Sequence, residues 1–312
     1  MADIKKFLVV IDPTATTQPA LDRITHLPRP LEAELSLVIC DYEPYLAIGT
    51  ALAPAAVTAA QNGLLSRHEK ALQALAAPLA RQGIDVQIDV RWDYPLHEAI
   101  IRKAVEWGAD LIVKDTHHHS ALRRSIFSNT DWNLIRQSPV PLLLVKPRPI
   151  GHVPRVLAAV DPLHPRDEDA LLDNTVIEYA KKFAQLFAGQ VDVLHVCDTL
   201  PLVLATPDAM MAPIALPLPE IAAEMEKTHT EAVHALTDAQ GIARPRVHVR
   251  KGGPRQVLIE ATDELRADFL VMGAVSRSAV ERVFIGSTAE SVLERLGCDV
   301  LIVKPEGFAA ES

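Results

Sequence analysis

The stretch Phe7-Leu8-Val9-Val10-Ile11-Asp12-Pro13 returns in the second half of the chain as Val156-Leu157-Ala158-Ala159-Val160-Asp161-Pro162. Each is an unbroken apolar run that stops at Asp-Pro. That pattern reads as a strand covered on both faces and ended by a turn-forming pair. Working outward, the copying continues. Residues 110–147 align without a gap on residues 268–305, from Asp110-Leu111-Ile112-Val113 against Asp268-Phe269-Leu270-Val271 to Val145-Lys146-Pro147 against Val303-Lys304-Pro305. Cys40-Asp41 and Cys197-Asp198 follow apolar runs at matching places. Self-similarity of this extent means one domain made twice. Between the copies, Lys146-Pro147-Arg148-Pro149-Ile150-Gly151-His152-Val153-Pro154 reads as a short stiff linker. Domains are therefore expected over 1–148 and 153–312.

The bulk numbers agree. A chain of 312 residues exceeds the size at which single cores stop growing, and 49% hydrophobic content suffices for two cores. No run approaches the roughly 18 apolar residues of a membrane helix, so no membrane insertion is expected. The start, Met1-Ala2-Asp3-Ile4-Lys5-Lys6 before a short apolar run, lacks the order of a signal peptide. The three cysteines, Cys40, Cys197 and Cys298, fit neither a disulfide framework nor a metal-spacing motif. A cytoplasmic location is the expectation. The formal net charge of −9 speaks against a nucleic-acid partner, which selects basic surfaces.

Within each half, short apolar runs alternate with helical patterns. Strands are expected near 5–11, 35–41, 84–91, 110–115 and 141–146, then 154–160, 190–197, 245–251, 268–273 and 299–304. Helices are expected near 54–82, 95–107 and 129–137, then 167–188, 219–240, 254–266 and 287–296. The first connection carries Pro19, Pro28 and Pro30, so its helix should be short. Alternation implies right-handed crossovers and an open parallel sheet, mostly apolar throughout, with helices on both faces. Ligands of such sheets sit beyond the carboxyl ends of the strands, where the strand order reverses. The residues just after each strand are the ones to read.

After the first strands stand Asp12 and Asp161, suited either to a ribose hydroxyl or metal-bound phosphate, or to capping the next loop. After the fourth strand of the second half come Gly273 and Ser276, then nine residues, then Gly286-Ser287-Thr288. Glycine lets backbone approach a phosphate, and a helix opening at Ser287 offers free N–H groups to an anion. Ser287 and Glu290 also have capping-box spacing, which would satisfy the same groups without a ligand. The ending is not that of a Walker A loop.

These residues resemble the universal stress protein family. Its ATP-binding members carry Gly, two residues, Gly, nine residues, Gly and then Ser or Thr. Gly273, Gly286 and Ser287 match, and Ser276 replaces the middle glycine. The resemblance covers nearly the whole chain. It includes Val9-Val10-Ile11-Asp12-Pro13, Asp131-Trp132-Asn133-Leu134 and Gly253-Pro254.

It implies a five-stranded Rossmann-like fold of the adenine nucleotide alpha hydrolase type in each half, and adenine nucleotide binding, as ATP or AMP with or without Mg, in the second. Asp161 would lie near the ribose or the metal, and the backbone near Val196 would face adenine. Gly273, Ser276, Gly286, Ser287 and Thr288 would surround ribose and phosphates, with Arg277 either reaching a phosphate or solvated. The first half departs from the pattern with Asp115, His118, Ser128 and Asn129 at the corresponding positions. A carboxylate at 115 opposes a polyphosphate, so that half is not expected to bind ATP in the family manner. Single domains of the family dimerise. The resemblance thus implies a pseudo-dimer of the two halves through edge strands at Leu142–Val145 and Leu301–Val303, and admits a homodimer of whole chains.

Other features point elsewhere. His117 and His119, with Asp115 and His97, offer zinc-ligand chemistry, although adjacent loop residues point apart and solvated histidines are the plainer reading. The connections Tyr42–Pro54 and Leu200–Pro219 are rich in proline and apolar residues. They suggest packing within the protein, or the carriage of an apolar ligand. No catalytic constellation stands out; slow ATP hydrolysis on the same fold is the rival to a binding role.

Overall fold

The computed structural model describes residues 3–25, 27, 33–49, 53–116, 128–163, 171–198, 218–274, 292–305 and 308. They fall into two compact units, residues 1–148 and 149–308. Unit 1 contains β1 (Lys6–Val10), α1 (Pro19–Thr25), β2 (Glu34–Asp41), α2 (Pro44–Gly49), α3 (Pro54–Arg81), β3 (Asp85–Trp92), α4 (Leu96–Trp107), β4 (Leu111–Asp115), α5 (Asn129–Gln137) and β5 (Leu142–Val145). Its sheet is parallel throughout, in the order β3-β2-β1-β4-β5. Unit 2 contains β6 (Arg155–Val160), α6 (Leu171–Leu186), β7 (Gln190–Cys197), α7 (Leu218–Ala239), β8 (Val247–Lys251), α8 (Pro254–Glu264), β9 (Phe269–Gly273) and β10 (Asp299–Val303). Its sheet, also parallel, runs β10-β9-β6-β7-β8. The two orders are the same order written twice, as the repeat requires.

Consecutive residues of β1, β4, β5 and β10 are buried, so both faces of these strands are covered. The expectation of continuously apolar strands fails at β3, Asp85-Val86-Gln87-Ile88-Asp89-Val90-Arg91-Trp92, and at β8. Each ends its unit's sheet on the β2 or β7 side, and both are only partly covered. Proline starts α3 and α8, where a missing N–H costs nothing, and Gly108 ends α4 with a φ of 69°. Helix α1 is seven residues long, as its prolines demand. The connection 42–54, read from sequence as a loop, holds the short helix α2. The connection 199–217 and the first half of the expected helix 287–296 lie outside the described residues.

A carboxylate organises each unit's first strand. Asp110 accepts from the backbone N–H groups of Lys5 and Lys6 at 2.9 and 2.8 Å, and Asp268 accepts from Gly151 and Arg155 at 3.0 and 2.9 Å. In unit 2 the core closes on the rings of Phe183, Phe187 and Phe269, packed at tilted and edge-on angles between α6, the turn after it and β9.

Candidate functional site

In each unit the chain runs outward from the first strand to its second and third. It then crosses back to place the fourth strand on the other side of the first. The strand order therefore reverses between β1 and β4 in unit 1 and between β6 and β9 in unit 2. The carboxyl ends of these pairs form the crevice where open α/β sheets bind ligands.

In unit 2 the crevice lies between Asp161, directly after β6, and Gly273, the last residue of β9. The peptide group joining Val160 to Asp161 is held from two sides. Its N–H donates to both carboxylate oxygens of buried Asp173, at 3.0 and 3.1 Å. Its carbonyl accepts from His195 Nδ1 at 3.0 Å. His195 is fully buried, and burial pushes its pKa down, which keeps the ring neutral. A neutral ring donating through Nδ1 must accept at Nε2, so the 2.7 Å contact with His229 Nδ1 is a hydrogen bond donated by His229. The two rings lie within 20° of parallel, with centroids 4.9 Å apart, as an edge-to-edge hydrogen bond requires. Asp161 Oδ1 stands 3.9 Å from His195 Nδ1, a neutral neighbour rather than an ion pair, and the Asp161 side chain is 55% exposed. A solvent-facing carboxylate is thus set on an immobilised backbone at the point of reversal. Val196, beside it on β7, is half-buried.

Gly273 has a packing reason of its own. A Cβ there would lie 2.5–2.8 Å from the side-chain carbons of Leu172, so α6 sits directly against it. Ser276, Arg277, Gly286, Ser287 and Thr288 lie outside the described residues.

Unit 1 has the same crevice with different occupants. Asp12 Oδ1 accepts from Thr14 N and Oγ1 at 2.7 and 2.6 Å, closing a tight Asx turn. Asp115, where unit 2 has Gly273, is buried and accepts from the Ala20 N–H at the start of α1. Burial pushes its pKa up to about 7. Ser128 caps α5 reciprocally with Asp131: the Ser128 side chain accepts from the Asp131 N–H, and the Asp131 carboxylate accepts from the Ser128 N–H at 2.7 Å. The Lys114 ammonium meets the same carboxylate at 2.8 Å, with the lysine side chain 16% and the aspartate 2% exposed. On the gapless repeat, Lys114 and Asp131 stand where unit 2 has Met272 and Ala289. Both members of the pair are therefore peculiar to unit 1. The spacing Ser128-x-x-Asp131 carried the cap in plain view, but nothing in the sequence tied Lys114 to it. A cleft of about 300 Å³ remains open above these groups, lined by Asp12, Thr14, Cys40, Lys114, Ser128 and Thr130 among others. Burial, with the Asp89 carboxylate nearby, pushes the Cys40 thiol up to about 12, so it stays protonated.

The zinc reading divides. His97 is buried, its pKa pushed down by burial, and its ring bonds with the Gln137 side chain at the end of α5. The Asp115 carboxylate bonds to α1. Among the described residues no three His, Cys, Asp or Glu side chains converge on a common point. His117 and His119 lie outside the described residues. No described helix is long and apolar enough to cross a membrane.

Two parallel α/β units of identical strand order, each with its crevice at the point of reversal, define a tandem Rossmann-like protein. Both halves match the profile of the Universal stress protein family, over residues 3–146 and 153–304, and the chain belongs to that family. It is 30% identical over 318 residues to Universal stress protein E of Escherichia coli K12, covering 99% of this chain and 96% of that one. It is 27% identical over 311 residues to the Universal stress protein E homolog of Haemophilus influenzae, covering 96% and 97%. Among solved structures, a functionally unknown protein of Pseudomonas aeruginosa PAO1 superposes with a TM-score of 0.73 at 26% identity, over 97% of this chain and 93% of that one.

Proposed function

We propose that unit 2 binds an adenine nucleotide, ATP or AMP, in its switch-point crevice, and that the chain acts as a nucleotide-responsive regulatory protein of the stress response. The observation that carries this is Asp161. Its carboxylate faces solvent, while its peptide group is fixed by Asp173 and His195, an investment in position that a mere loop cap does not need. Asp161 is assigned to the ribose hydroxyls or to a phosphate-bound Mg, for which an exposed carboxylate is a fitting oxygen donor. Mg, when bound, would neutralise phosphate charge. The backbone near Val196 is assigned to adenine. Gly273, Ser276, Gly286, Ser287 and Thr288 are assigned to ribose and phosphates, and Arg277 to a phosphate. Unit 1 is assigned no ATP: the α5 N-terminus already holds the Asp131 carboxylate, paired in turn to Lys114. Pairing of the two units as a pseudo-dimer, association of whole chains and a cytoplasmic location complete the proposal.

The test is calorimetry of the full chain with ATP and AMP. Asp161→Ala and Gly286→Asp should each lower the affinity at least tenfold. Unchanged affinity in Gly286→Asp sinks the assignment. Phosphate release that tracks the protein and vanishes in Gly286→Asp would turn the reading from sensor to slow ATPase.

A further inference from the structure

Strand β3 ends the sheet of unit 1, and no described strand pairs with its outer side. This edge is eight residues long, against five in β8, the corresponding edge of unit 2. The Asp93 N–H donates to the Asp41 carbonyl at 3.3 Å, continuing the register that pairs Asp85 with Glu34 and Trp92 with Asp41. In a parallel ladder, alternate residues turn both backbone groups to the same neighbour. Arg91, Asp89, Gln87 and Asp85 therefore share the direction of Asp93, toward β2. Val86, Ile88 and Val90 turn their N–H and C=O groups outward, a row that another strand can pair with. Side chains alternate as well. Asp89 meets Lys103 at 3.1 Å and Arg91 meets Glu106 at 2.9 Å, both on α4, while Val86, Ile88 and Val90 lie on the opposite face, each only half-buried.

Natural sheet edges carry charges that repel a second copy. Strand β8 does. Gly252 N–H bonds to the Cys197 carbonyl, so Val247 and Val249 turn outward. In every antiparallel register that sets the outward residues of two β8 strands opposite one another, basic residues face basic residues among Arg246, His248, Arg250 and Lys251. Strand β3 differs. Registers centred on Asp89 or Arg91 oppose like charges. The register centred on Ile88 instead sets Asp85 against the second copy's Arg91, Val86 against its Val90 and Gln87 against its Asp89, each pair occurring twice. A register centred on Val90 also avoids like charges, but it spans only Ile88–Trp92 of each strand, whereas the Ile88 register spans Asp85–Arg91. In the Ile88 register the Asp85–Arg91 pair is of the non-hydrogen-bonded kind, with Cα atoms about 4.5 Å apart, and opposite charges so placed stabilise a sheet. Asp85 is exposed and has no ion pair among the described residues.

We propose that two copies of the chain pair antiparallel through β3, with the two-fold axis at Ile88, so that their unit 1 sheets become one. The pairing satisfies the outward backbone groups and covers the half-buried valines with one another. The pairing of units proposed above uses β5, at the other end of the same sheet, so the two associations do not compete. The inference rests on the association of whole chains proposed above and names its surface. An isologous contact of this kind closes at two chains.

Sedimentation velocity of the full-length chain over a wide concentration range tests it, and a monomer–dimer equilibrium is expected. Val86→Pro removes an N–H that points away from β2, so the ladder to β2 stays intact while the contact between copies loses a hydrogen bond. Dimerisation should weaken at least tenfold. Asp85→Arg, an exposed change that sets like charges opposite one another, should do the same. Circular dichroism of both variants should match the wild type. Gln87→Cys chains mixed with Asp89→Cys chains should form a disulfide between copies at least tenfold faster than Gln87→Cys chains alone. A dimer indifferent to both Val86→Pro and Asp85→Arg overturns the β3 assignment and leaves the association of chains standing. Equal rates of disulfide formation overturn the register. A chain that is monomeric throughout overturns both the inference and the association. Growth beyond the dimer overturns the closed pairing, since β3 on another copy's β8 would add chains without end.

Discussion

Asp115 carries the prediction with the most definite sign. Its carboxyl is buried in unit 1 and its pKa is raised from 3.8 to about 7, chiefly by burial. Between these values the unfolded chain has released the proton and the folded chain keeps it. The folded state then binds more protons, and stability falls as pH rises. The contribution is fully present below about pH 4 and is lost as pH rises through about 7. Three units at 1.36 kcal/mol each set a ceiling of about 4 kcal/mol, and relaxation around the charge leaves an expected loss of about 2 kcal/mol.

Asp115→Asn keeps the shape and the oxygen that accepts from the Ala20 N–H, and removes the proton. The difference in stability between wild type and variant cancels every other titration in the molecule. All three tryptophans, Trp92, Trp107 and Trp132, lie in unit 1, so urea unfolding followed by tryptophan fluorescence reads this unit. The variant should gain on the wild type by about 2 kcal/mol from acid to mildly alkaline pH. A difference that is flat to within about 0.5 kcal/mol, or that runs the other way, refutes the reasoning.

Three further outcomes are expected. Lys114→Met leaves the Asp131 carboxylate buried without its cation and should cost unit 1 about 2–4 kcal/mol by the same fluorescence assay, with part of the loss recovered when Asp131→Ala is added, the lost α5 cap accounting for the rest. Gly273→Ala should destabilise unit 2 by about 1–3 kcal/mol in circular dichroism melts through its collision with Leu172, and the same substitution made in a Leu172→Ala background should cost less. Asp110→Ala and Asp268→Ala each strand two backbone donors at about 1–3 kcal/mol, the first read by the tryptophan transition and the second by circular dichroism melts.

Much of the fold was legible because the chain states it twice. The runs at 7–11 and 156–160 are too continuously apolar for anything but covered strands. The helices over 54–82 and 95–107 came within a residue of α3 and α4 because proline and glycine mark their ends. Where one face meets solvent, as at β3, burial along the strand is patchier and the apolar criterion misled. Helix α2 escaped because six residues carry too little periodicity to register. At the site, Asp161 was readable from Asp-Pro after a strand. Asp173, His195 and His229 were not, since each looked like an ordinary residue inside an element. Their role arises only where α6 and β7 meet one peptide group and α7 backs the histidine that holds it.

By itself the sequence determined that one unit is made twice and that each is a parallel α/β sheet. Apolar period, turn residues and internal repetition are local properties that survive in one dimension. It also marked unit 1 as altered, through Asp115 and Ser128. Only the tertiary structure decided what those alterations do. Asp115 faces the start of α1, and Asp131, seventeen positions beyond Lys114, closes on it across the crevice. Charge pairing of that kind depends on which side chains the sheet and helices bring within a few ångströms, a quantity no spacing along the chain contains. For the same reason the space at Gly273, read from sequence as room for a phosphate, is seen in the structure to be room for Leu172.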